Sequence, residues 1–143
     1  MERAIVWFRN DLRLSDNAAL NFAYENNNRV LFLYIFDNES SIGSASKWFL
    51  FRALESLKND IRQKYNADLI IKSGNSQQIL EKLVNNYNID SITWNRVYEP
   101  DLIRKDSKIK DYFQQRSLNI KIFNSSLLFN PAKIQNLAKS YFK

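Results

Sequence analysis

Ala4-Ile5-Val6-Trp7-Phe8-Arg9-Asn10-Asp11-Leu12-Arg13-Leu14-Ser15-Asp16-Asn17 sets five consecutive apolar residues against a charged loop that ends on Asp16, a residue able to cap a helix. A short apolar run without polar alternation marks a strand buried on both faces, as in a parallel sheet. Further runs of this kind follow at residues 30–36, 68–72, 91–94 and 120–123. Helical patterns separate them. Residues 17–25 form the first, and 45–65 the clearest, with Leu50, Leu54, Leu57, Ile61 and Tyr65 at spacings of three and four. Residues 76–87 repeat the pattern behind a cap at Asn75 or Ser76, and Pro100 suits the first helical position of a helix over 101–116. Strand and helix alternating throughout, joined by right-handed crossovers, imply a three-layer α/β/α, Rossmann-like doubly wound domain. Its five-stranded parallel sheet is expected in the order 3-2-1-4-5.

The chain has 143 residues, 45% of them hydrophobic, which suits one globular domain. It has no Cys and no His. Thiol nucleophiles, thiolate and imidazole metal sites, and Ser-His or Cys-His pairs are therefore excluded. The first apolar run is too short for a signal peptide or a membrane span, so a soluble, cytoplasmic monomer with no membrane partner is expected. The net charge of +6 lies wholly in residues 101–143, where nine Lys/Arg face three Asp. Because its aromatic residues do not interleave as a stacking platform requires, that flank reads as a solvated helix face plus a tail rather than a nucleic-acid platform.

Open parallel sheets bind ligands at the carboxyl ends of their strands, here the loops at 9–13, 36–46 and 95–99. Gly43 and Gly74 are the only glycines, so neither G-x-G-x-x-G nor a P-loop can form, and a nicotinamide dehydrogenase or P-loop NTPase is excluded. Asp11, Asp16, Asp37 and Glu99 can meet at this edge, but each has a nearby basic partner or a capping position. Arg9 and Arg13, alternating with Asp11 and Asp16, read as a loop salt-bridged within itself. Trp7, Trp48 and Trp94 read as core.

The pattern Trp7-Phe8-Arg9-x-Asp11-Leu12-Arg13-Leu14-x-Asp16-Asn17-x-Ala19-Leu20 resembles the amino-terminal signature of the DNA photolyase/cryptochrome family. Leu33-Tyr34-Ile35-Phe36-Asp37, Gly43 to Leu50, Ser73-Gly74, Trp94-Asn95-Arg96-x-Tyr98-Glu99-Pro100 and Leu127-Leu128-x-x-Pro131 follow in family order. The resemblance implies an α/β domain over 1–130 and, at 131–143, the opening of an interdomain junction within which the chain is cut short. A helical domain carrying FAD and engaging damaged DNA would be the partner and is expected to be absent from this chain, so catalytic residues are none and the isolated chain is expected to be inactive in light-driven repair of pyrimidine dimers. The resemblance also implies an antenna chromophore, methenyltetrahydrofolate or a deazaflavin, against Phe36, Asp37, Gly43, Ser46, Lys47, Arg96, Glu99 and Asp101. Arg9, Asp11 and Arg13 are expected to dock the helical domain, with no metal. A cryptochrome-like sensory module and a generic nucleotide-binding domain are the alternatives.

Overall fold

The computed structural model describes residues 3–9, 11–36 and 44–124. The 131–143 junction expected from the sequence lies outside them, as do Asp37 and Gly43. Five strands and four helices alternate: β1 (Arg3–Phe8), α1 (Ala18–Asn26), β2 (Arg29–Phe36), α2 (Ser44–Tyr65), β3 (Leu69–Ser73), α3 (Ser76–Tyr87), β4 (Ser91–Asn95), α4 (Pro100–Gln114) and β5 (Asn119–Phe123). All strand pairs are parallel and the order is β3-β2-β1-β4-β5, as expected.

Because successive side chains of a strand point to opposite faces, β1 feeds two cores. Ile5 and Trp7 join Leu33, Leu80, Ile92, Trp94 and Phe113 on the α3/α4 side. Ala4, Val6 and Phe8 join Leu20, Phe32, Leu54, Leu57 and Ile61 on the α1/α2 side. Strand order reverses between β1 and β4, whose register runs from Ala4 opposite Ser91 to Trp7 opposite Trp94. The loops leaving these two strands are therefore neighbours at the carboxyl edge.

Two local expectations change. The α1 cap is Asn17, whose side chain accepts from Leu20 N, rather than Asp16. Asp16 instead takes a left-handed turn at φ 51°, a conformation that Asp tolerates better than most residues. Trp7 and Trp94 are core residues, but Trp48 is 56% exposed. Helical geometry explains this, since Trp48 lies two residues, about 200°, from Leu50 on the buried stripe.

Candidate functional site

Asp11 anchors the first loop. Its Oδ1 accepts from Arg9 N at 3.0 Å, and its Oδ2 accepts from Asn17 Nδ2 at 3.3 Å and from Asn95 Nδ2. Asn95 Nδ2 also donates to Asn17 Oδ1 at 2.7 Å, while Asn95 Oδ1 accepts from Ala19 N at 3.1 Å. Thr93 Oγ1 donates to the Ala19 carbonyl at 3.2 Å. The end of β4 thus holds the entry of α1 and the loop after β1 in one buried polar knot. Burial pushes the Asp11 carboxyl above its ordinary value, against the opposing pull of its hydrogen bonds and of Arg13.

Arg9 leaves this loop and reaches α4. Its Nη1 donates to both Asp106 oxygens at 2.8 Å, and its guanidinium lies 4.0 Å from the centre of the Trp7 ring. Trp7 meets Trp94 edge-on at 5.0 Å. Burial raises the Asp106 pKa more than Arg9 lowers it. The Trp94 indole N–H also favours the charged form of Asp106 without closing a hydrogen bond. Arg13 is half-buried and donates to the Ser15 and Asp16 carbonyls at 3.2 and 3.4 Å. The expected internal salt bridges are therefore replaced, among the described residues, by one long-range ion pair and a set of hydrogen bonds. Self-pairing loses because the fold offers Arg9 a buried carboxylate on α4.

The other expected residues spread along the same edge. Phe36 is half-buried and packs on Tyr34 and Phe51 at 5.1 and 5.7 Å, and its carbonyl already accepts from Gly74 N at 2.9 Å. Ser46 lies in the first turn of α2, followed by an exposed Lys47. Arg96 and Glu99 are exposed on the loop from β4 to α4, and Asp101 is paired with Arg104 in the first turn of α4. Between them the Tyr98 hydroxyl is buried without a partner among the described residues. A cleft of about 140 Å³ opens beside this edge over Trp7 and Arg9, bounded by Ser76, Leu102 and Lys105. Sequence reasoning gave Asn17 and Asn95 no role of their own. Their signal was two Asn at loop ends, a residue type that caps and satisfies backbone.

The fold and site define a Rossmann-like α/β domain whose first loop is closed by side chains instead of by glycines around a phosphate. The sequence profile described as DNA photolyase matches residues 4–143, and the chain belongs to the DNA photolyase family. A deoxyribodipyrimidine photo-lyase of Agrobacterium fabrum is 35% identical over 92% of this chain and 27% of its own length. Cryptochrome-1 of Arabidopsis thaliana is 29% identical, over 92% of this chain and 20% of its own. A bacterial class III photolyase structure from Agrobacterium tumefaciens superimposes with TM-score 0.81 at 34% identity, covering 85% of this chain and 25% of that one. An archaeal photolyase structure from Sulfolobus tokodaii, which holds two FAD molecules, gives 0.78 at 25% identity, covering 96% and 34%. The chain thus spans about a quarter to a third of the length of these photolyases.

Proposed function

We propose that this domain seats an antenna chromophore, of folate or deazaflavin type, at the carboxyl edge of its sheet and docks there on a helical FAD-binding domain. The whole protein would be a light-driven flavoprotein repairing pyrimidine dimers in DNA. The observation that carries the reading is the buried Tyr98 hydroxyl, which has no partner among the described residues. It lies on the loop whose exposed Arg96 and Glu99 offer a donor and an acceptor. Buried hydroxyls are normally satisfied, so a group from outside the described residues is expected to complete it. Phe36 stands at the end of β2, two strands from β4 and therefore about 10 Å away, a span that a planar ring system can bridge.

The residues present suit such a group. Phe36 and Phe51 offer aromatic surface, Glu99 accepts from a ring-edge N–H, and Lys47 and Arg96 offset negative charge. When bound, the chromophore would supply absorption of blue light and transfer of that excitation to the flavin. Arg9 and Asp11 act from within by fixing the loop, and Arg13 is the member half-exposed for docking. Repair is preferred to signalling because the Agrobacterium fabrum photolyase is more similar to this chain than Cryptochrome-1 of Arabidopsis thaliana is, at 35% against 29% identity. Membership of the family displaces the generic nucleotide-binding alternative.

Titrating the purified chain with methenyltetrahydrofolate and with a deazaflavin, followed by absorbance and fluorescence, is expected to give a saturable spectral shift with one of them. Glu99→Gln should weaken it. Absence of a saturable shift with either compound would sink the antenna reading. Illuminated chain is expected to leave pyrimidine dimers unrepaired, and dimer reversal by it would overturn the view that repair needs the helical domain.

A further inference from the structure

At the opposite, amino edge of the sheet, the carboxyl ends of α1 and α2 border a cleft of about 440 Å³. That volume is in the range of small-ligand pockets. Its wall is a group of mutually tilted rings, with Tyr24 and Tyr65 centroids 5.0 Å apart at 55° and Tyr65 and Phe32 5.3 Å apart at 33°. Val30 completes the apolar lining, and Asn27 and Asn28 supply carboxamides. Tyr24 is 58% exposed although it borders this cleft. Asn27 Nδ2 donates to the Ala23 carbonyl at 2.9 Å, which fixes the orientation of the amide. Its Oδ1 is shut from solvent and has no donor among the described residues. A buried acceptor left in that state destabilises the fold, and a ligand N–H that reached it would relieve the cost. Among the described residues no acidic side chain lines the cleft, and the Lys64 ammonium sits 5.5 Å from the Tyr65 ring centre.

We propose that this cleft binds a planar nitrogen heterocycle with an N–H on its edge, a nucleobase-like ring. The ring stacks on the exposed Tyr24 ring and donates to Asn27 Oδ1. Reaching that carbonyl requires the side chains that shut it from solvent to part. The site is separate from the chromophore site, since the two lie at opposite ends of the strands.

Adenosine titrated into ¹⁵N-labelled chain is the test. Saturable amide shifts are expected, confined to residues 24–32 and 65–67. Tyr24→Ala, at an exposed position whose folding circular dichroism verifies, should weaken binding about fivefold or more, the lower end of base-on-aromatic stacking. N6,N6-dimethyladenosine, lacking the exocyclic donor, should weaken it by about the same factor. The proposal is overturned by no saturable shift up to about 10 mM, a range that covers very weak binding. Shifts centred on residues 9–17 and 95–99, or equal affinity for the two nucleosides, overturn it as well. Failure of the folate and deazaflavin titrations would leave these outcomes unchanged.

Discussion

Asp106 is 6% exposed, and both of its carboxylate oxygens accept from the Arg9 guanidinium, whose own side chain is only 11% exposed. Removing one partner strands the other charge in a poorly solvated place. Asp106→Ala is therefore expected to cost about 3 kcal/mol of stability in urea denaturation, whereas replacing both residues together by apolar side chains should cost much less. Equal losses for the single and double variants would show that the pair is not coupled. Asp11 gives a different signal, because burial raises its folded-state pKa above the ordinary 3.8. Between 3.8 and that raised value the folded chain binds a proton that the unfolded chain has released. The contribution of Asp11 is thus complete below 3.8 and is lost as pH rises through its folded-state value. Asp106 acts in the same direction. Asp11→Asn is expected to flatten the dependence of stability on pH in the weakly acidic range, leaving the share of Asp106. An unchanged slope would count against the burial of this carboxyl.

The helix entries separate what the sequence shows from what only the fold supplies. Asn75 caps α3 locally, accepting from Gln78 N at 3.0 Å. Asn75→Ala should cost about 1 kcal/mol, the ordinary value of a cap. Asn17 caps α1 in the same way but also bonds Asp11, the Arg13 carbonyl and Asn95. Asn17→Ala should therefore exceed the Asn75 loss by at least about 1 kcal/mol, because buried partners are left unsatisfied. Similar losses in thermal or urea unfolding would reduce Asn17 to a simple cap. Strands, the α3 entry at Asn75 or Ser76 and the Pro100 entry were legible because each depends on neighbours in sequence. Asp11 with Asn95 and Arg9 with Asp106 lie 84 and 97 residues apart, and their pairing appears only once β1, β4 and α4 converge. Trp48 was misplaced for another reason. Its residue type outweighed its angular position, although the stripe from Leu50 to Tyr65 already put it on the outer face.

Across the whole molecule, β1 is the element that makes one cooperative unit of two separate cores. It pairs with β2 on one side and β4 on the other, and residues Ala4 to Phe8 are no more than 3% exposed. Opening it breaks two ladders and uncovers both faces of the sheet at once. Its amides can therefore exchange only through global unfolding. The edge strands β3 and β5 each pair with a single neighbour, and β3 runs from buried Leu69 to exposed Lys72 and Ser73. They can open while β1 stays paired with β2 and β4. Native-state hydrogen exchange should place Ile5, Val6, Trp7 and Phe8 at the full unfolding free energy, β2 and β4 just below, and β3 and β5 lower by about 1 kcal/mol or more. Ile5→Ala and Val6→Ala, which deplete opposite cores, should then lower the exchange free energy of all three central strands together. If Val6→Ala loosened only the α1/α2 side and left the α3/α4 side protected, the two cores would be independent folding units joined by a passive strand.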